Sequence, residues 1–141
     1  MLFRSGPGIP EGETADDCCD LLDIFPGLCD LAGLPTPESV EGQSLGSAIK
    51  EPATDIRDSL HFAYRGVQRG VRVGQHKLIE YVVNGKRTTQ LFDLEIDPHE
   101  TTNLATRPGH SETVASLRKE LERWRTELGD GQEPGNQFWR D

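Results

Sequence analysis

The sequence predicts an α+β fold, with about four antiparallel strands covered by one C-terminal helix. Three observations carry that prediction. Asn84-Gly85 divides the run His-Lys-Leu-Ile-Glu-Tyr-Val-Val from Lys-Arg-Thr-Thr-Gln-Leu-Phe-Asp. Both central residues of a type I′ turn need positive φ, which Asn and Gly tolerate best, so this is a hairpin signal. Upstream, Leu60, Phe62 and Tyr64 alternate with His61, Ala63 and Arg65, and Val71 and Val73 flank Arg72. That period of two belongs to strands. Downstream, Val114, Leu117, Leu121, Trp124 and Leu128 follow i, i+3, i+4 spacing and form one apolar stripe. A sheet with an apolar face needs a cover, and this helix supplies one.

Taken in order, Met1 to Gly12 reads as a short apolar strand followed by the turn Gly6-Pro-Gly-Ile-Pro. Asp23 is placed to cap a helix of two to three turns. Pro26 falls in its first turn, Gly33 suits the position that closes it, and Phe25, Leu28 and Ala32 share one side. Leu34-Pro-Thr-Pro then forces a break. Ser44 to Lys50 can make one further helical turn, and Glu51 to Asp58 connects to the strands. Pairing about Asn84-Gly85 sets Val83 opposite Lys86, Tyr81 opposite Thr88, Ile79 opposite Gln90 and Leu78 opposite Leu91. Asp97-Pro98 starts a turn that Asn103 caps or braces. Ser111 is placed to cap the last helix, Glu112 complements its dipole, and Gly129 ends it. These signals divide the chain into residues 1–57, a sheet-and-helix unit at 58–129, and a flexible Gly- and Pro-rich tail at 130–141, within which Phe138 and Trp139 are able to dock.

Composition narrows the function classes. Leu, Ile, Val and Phe make up about 23% of the 141 residues, just above the roughly 20% below which chains tend to stay disordered. The core is therefore thin. A formal charge of −9 argues against a nucleic-acid partner, which needs phosphate-neutralising surface. No apolar stretch approaches the roughly 18 residues of a membrane span. The N-terminal sequence is too polar for a secretory signal, and the compartment stays open. Cys18, Cys19 and Cys29 have no metal-finger spacing, and adjacent cysteines rarely bridge each other. They read as buried thiols beside solvated carboxylates, and no metal site is expected.

Several segments carry a resemblance. Gly6-Pro-Gly-Ile-Pro-Glu-Gly12, then Asp23-Ile-Phe-Pro-Gly-Leu-Cys-Asp-Leu-Ala-Gly-Leu-Pro35, then Glu41-Gly-Gln-Ser-Leu45 occur in order. They are followed by Gly70 to Ile79, the hairpin, and Leu91 to Ala105. Together they resemble the C-terminal region of the sulfatases, in the alkaline-phosphatase superfamily. Gly27 departs from the family's usual Thr. The resemblance implies that residues 1–57 are the strand–helix end of an α/β catalytic domain, and that the rest is a small C-terminal subdomain. It also implies sulfate-ester hydrolysis by a formylglycine, made from Cys or Ser in Cys/Ser-x-Pro-x-Arg, with a calcium ion stabilising charge on the sulfate oxygens.

That motif is missing from this sequence. None of the three cysteines has Pro two residues on, and Ser5-Gly6-Pro7 is followed by Ile9 where Arg is required. No catalytic residue of the family maps onto the chain, which is expected to be inactive alone and to carry neither calcium nor formylglycine itself. The expected partners are the missing catalytic portion or a second copy, with a sulfated glycan or other sulfate ester as substrate of the complete enzyme. The alternative is a non-catalytic binding or interaction module derived from a sulfatase. Complete bacterial members of the family are often periplasmic or secreted. The chain is expected to have a weak fold with exposed apolar surface, because residues 1–32 resemble part of a larger sheet-and-helix layer.

Within the chain, His61, Arg65 and Arg69 are the candidates for substrate binding, because the matching segment of sulfatases lies near the active-site rim. An arginine there would hold a sulfate or carboxylate by charge-assisted pairs. The competing reading makes the arginines exposed strand-end charges and puts His61 on the outer face of the sheet. Asp93, Asp97 and Glu100 lack the alternating spacing of a calcium loop and read as structural.

Overall fold

The computed structural model describes residues 9, 12, 18–50, 56–133 and 136–140. The expected strand and turn of Met1 to Gly12, the acidic pair before Cys18, and most of the Glu51 to Asp58 connector lie outside these residues. The chain forms two compact units, residues 1–58 and 59–141.

In the first unit, a 3-10 turn at Leu21–Asp23 leads directly into α1 (Ile24–Leu31), and α2 follows at Gly46–Lys50. The capping differs from expectation. Asp23 is already helical, with φ −78° and ψ −15°, so its side chain makes no cap bond to α1. The cap is Asp20, in a reciprocal box with Asp23: Leu22 N–H donates to Asp20, and Asp20 N–H donates to Asp23 Oδ2 at 2.6 Å. The Asp23 carboxylate, fully buried, also accepts from Gln43 N–H at 2.9 Å and pairs with Arg57. It ties three segments together. Gly42 lets them meet, because a Cβ there would lie 2.0 Å from the Leu22 carbonyl oxygen. α1 ends as expected, with Gly33 N–H donating to Asp30 C=O and Leu34 N–H to Cys29 C=O.

The buried side of α1 is Pro26, Gly27 and Cys29. Phe25 and Leu28, expected to pack together, are instead 53% and 58% exposed. Leu21, Leu22, Leu31 and Leu34 are exposed beside them, which makes an apolar surface of the kind expected. Cys29 is buried, but Cys18 is only partly covered and Cys19 is exposed, so burial of all three thiols is corrected.

The second unit is a four-stranded antiparallel meander in the order β1 (Ser59–Tyr64), β2 (Gln68–Val73), β3 (His76–Val83) and β4 (Lys86–Asp93). α3 (Ser111–Glu127) follows, then the short α4 (Asn136–Trp139). The hairpin register matches all four predicted pairs. Asn84 and Gly85 take φ of 52° and 71° at its turn. The core sits between helix and sheet, where Val71, Leu78 and Leu91 meet Val114, Leu117 and Leu121.

The register settles which sheet face α3 covers, and it reverses the outer-face placement of His61. Leu121 shares its cluster with Leu91, whereas Tyr81 and Phe92 alternate to the opposite face. The apolar residues Leu60, Ile79 and Phe92 are also buried on that opposite face. Alternation in β1 therefore marks the side away from α3, and His61 lies on the side that α3 covers.

Asn103 braces the outer edge of β4. Its Oδ1 accepts from Leu91 N–H at 3.0 Å and from Ala105 N–H, and its Nδ2 donates to Thr89 C=O. A side chain thus stands in for a fifth strand and blunts an edge that would otherwise pair elsewhere.

α3 starts at Ser111, but the capping position belongs to His110, which makes no side-chain cap bond. Ser111 is already the first helical residue, so its hydroxyl is past the point of capping. The far end closes with Gly129 N–H donating to Thr126 C=O and Asp130 N–H to Arg125 C=O. Within the segment read as a flexible tail, α4 is docked and Phe138 is fully buried.

Candidate functional site

His61, Arg65 and Arg69 gather at one end of the sheet, with sharply different exposures. Arg69 is 2% exposed. Its Nε and Nη2 donate to the two oxygens of Asp130 at 2.5 and 2.7 Å, a bidentate pair. Its Nη1 donates to the Arg65 and Gln68 carbonyls at 2.6 and 2.7 Å. The guanidinium also lies 5.0 Å from the Phe138 ring centroid. Arg69 is therefore not an exposed strand-end charge. Its donors hold the β1–β2 turn and the segment after α3.

Asp130 completes that knot by accepting from the Trp139 indole N–H at 2.8 Å. Burial pushes its carboxyl up, but the hydrogen bonds from Arg69 and Trp139 outweigh this and hold it below the usual range. His61 stacks on Trp124 at 5.9 Å between centroids. Burial lowers its pKa; the Asp130 charge opposes that and the Arg69 charge adds to it. Its buried Nε2 has no hydrogen-bond partner among the described residues.

Of the three, Arg65 alone turns its charge outward. It occupies the turn with φ 49°, and its guanidinium lies 5.4 Å from the exposed Tyr64 ring. The sequence brought these residues together through strand pairing, since Arg69 lies opposite Ala63 and His61 opposite Val71.

The described residues do not fit a calcium ion. No three His, Cys, Asp or Glu side chains among them are grouped to share a metal. Asp93 accepts from Glu95 and Ile96 N–H, Asp97 from Thr102 N–H and the Thr101 hydroxyl, and Glu100 pairs with Lys77 at 2.8 Å. Each carboxylate braces a turn or a strand.

A second cluster escaped sequence reasoning. Arg87 of β4 and Arg118 and Arg125 of α3 border an open cleft of about 300 Å³, walled by Leu121 and Trp139. The signal was present: Arg118, Leu121, Glu122 and Arg125 follow i, i+3, i+4, i+7 and share one helix face. Arg87, however, joins them only through the fold of the hairpin, and Trp139 only through docking of α4.

The model of the family "N-sulphoglucosamine sulphohydrolase, C-terminal" matches residues 1–127. An arylsulfatase of Clostridium perfringens is 34% identical over 114 residues, covering 79% of this chain and 23% of its own. A Delta 4,5-hexuronate-2-O-sulfatase of Bacteroides thetaiotaomicron is 33% identical over 138 residues, covering 89% of this chain and 28% of its own. The solved structure of a 2-O GAG sulfatase superposes with a TM-score of 0.71 at 31% identity, over 90% of this chain and 29% of that one. The chain thus spans about a quarter of the length of the relatives it matches. By the family match and these likenesses, the chain belongs to the N-sulphoglucosamine sulphohydrolase C-terminal family and is a C-terminal sulfatase domain similar to arylsulfatases.

Proposed function

We propose that this chain is the C-terminal part of a sulfuric ester hydrolase, inactive alone and completed by a portion that supplies formylglycine and calcium. One observation carries the reading: a family match over residues 1–127 coincides with a sequence that contains no Cys/Ser-x-Pro-x-Arg. Without that motif the chain lacks the residue from which the family makes its attacking group. The exposed apolar side of α1 suits association with the catalytic portion, since such a surface lowers its free energy by burial.

In the complete enzyme, Arg65 is the group that reaches a sulfated sugar, while Arg69 holds its turn in place through the Arg65 and Gln68 carbonyls. The substrate class follows from relatives whose names specify a hexuronate 2-O-sulfatase and a 2-O GAG sulfatase. A sulfated glycan is accordingly the proposed substrate.

The test is turnover of an aryl sulfate. The purified chain is expected to show none, with or without calcium. Supplying a sulfatase N-terminal portion that carries the nucleophile motif, fused or co-expressed, is expected to restore it. Hydrolysis by the chain alone that survives repurification would overturn the reading.

A further inference from the structure

We propose that the cleft between α3, the β3–β4 hairpin and α4 binds a single monoanionic sugar, a sulfated or uronate pyranose, with Arg87 as its anion-binding group.

Charge balance points to Arg87. Arg118 is neutralised by the buried Glu80, to which its Nε donates at 2.8 Å, and it also bonds Thr89. Arg125 donates to Glu122 at 3.1 Å. Arg87 donates from Nη2 to the Phe138 carbonyl at 2.9 Å, a neutral acceptor, and has no carboxylate partner among the described residues. Among the described residues, one guanidinium charge thus stands uncompensated inside a cleft of an otherwise acidic chain.

Arg87 is also preorganised. Its guanidinium lies 4.8 Å from the ring centroid of the fully buried Phe138, which holds the planar group in place. A fork held this way loses little freedom when it takes a two-oxygen anion.

The occupant follows from charge, shape and size. Sulfate esters and uronates carry one negative charge, matching the single surplus charge, whereas a phosphate monoester carries closer to two. Leu121 is 2% exposed at the floor of the cleft, so the apolar contact to the C–H face of a pyranose falls to the half-buried Trp139, and Arg125 sits 4.7 Å from the Trp139 ring and keeps the indole in position. A volume of about 300 Å³ lies at the small end of ligand pockets, a size suited to one sugar.

The choice of a sugar among monoanions rests on the sulfatase reading above, but binding is measured without turnover. The two can therefore fail separately.

The experiment titrates the full chain by NMR, following the Trp139 indole and Arg87 Nε resonances. Glucose 6-sulfate, glucuronate, glucose 6-phosphate, glucose and inorganic sulfate are the probes. Saturable shifts are expected with glucose 6-sulfate and glucuronate. Glucose is expected to give none, and both inorganic sulfate and glucose 6-phosphate to bind more weakly. Arg87→Gln should weaken binding by roughly tenfold or more, about the worth of one lost ionic contact. Arg87→Lys should fall between, and the exposed Arg107→Gln should change nothing. If Arg87→Gln does not fold, Trp139→Phe serves in its place, with reduced affinity expected. Equal binding of glucose, of inorganic sulfate or of glucose 6-phosphate would overturn the proposal. So would full affinity in a folded Arg87→Gln, or no saturable shift with either sugar.

Discussion

Buried charge at Asp23 and Arg69 is arranged so that each ion is met by several fixed partners, and the two sites respond differently to mutation. Asp23 joins the 3-10 turn, the Gly42-Gln43 loop and Arg57 through one carboxylate. Asp23→Ala is expected to cost several kcal/mol within the first unit, on the order of 3–5, because a buried pair is broken with one partner left behind. Protease protection around residues 20–50 would report it, with the second unit unaffected. At Asp130, the folded carboxyl titrates below its unfolded value of about 3.9. Its stabilisation is therefore complete above that unfolded value and lost as pH falls through the lower folded one. Urea midpoints measured from neutral pH down to the acid limb should drop more in the native chain than in Asp130→Asn. Parallel curves would remove Asp130 from the acid response.

At the scale of elements, α3 and the sheet share an apolar core cluster in the second unit. Leu121 is 2% exposed within the cluster of Val71, Leu78, Leu91 and Leu117. Leu121→Ala is expected to cost roughly 2–5 kcal/mol through lost burial and a residual cavity. Glu122→Ala, one residue on but exposed at the cleft rim, is expected to cost under about 0.5 kcal/mol, since its pair with Arg125 is largely solvent-screened. Denaturant titration of both variants separates them, and equal effects would mean that α3 does not carry the core. The glycine in Glu41-Gly-Gln-Ser-Leu45 has a matching role in the first unit. Gly42→Ala should be strongly destabilising there, because the Leu22 carbonyl lies 2.0 Å from the added carbon and backbone must move. A variant with unchanged protection of α1 would contradict that contact.

For the whole molecule, the contrast is between a unit with a sheet, a lid and a braced edge and a unit whose helix leaves Phe25, Leu28 and Leu31 in solvent. Such a surface favours association. The purified chain is expected to bind an apolar dye and to sediment with a concentration-dependent mass. Phe25→Ser combined with Leu28→Ser should reduce both effects. Sharp monomeric behaviour without dye binding would count against α1 as an unsatisfied surface.

Several features were legible in the sequence because they depend on local chemistry. Asn84-Gly85 set the hairpin and its register, the period of Val114 to Leu128 set α3, and Gly33 and Gly129 set where helices stop. Asp97 and Asn103 likewise signalled a structural turn. What the sequence left undecided depends on which groups meet across the fold. Period-two alternation cannot say which sheet face a helix covers, so His61 came to lie on the α3 side, and Tyr81 and Phe92 opposite it. Helix starts shifted by a few residues: Asp20 caps the turn that leads into α1, and Ser111 is the first residue of α3 with no side-chain cap before it. Arg69 and Asp130 are 61 residues apart and pair only after the strands and α3 are in place. The cleft around Arg87 has the same origin. Charge alone marked these arginines as polar surface, and only tertiary structure decided which of them is buried, which is neutralised and which is left to receive an anion.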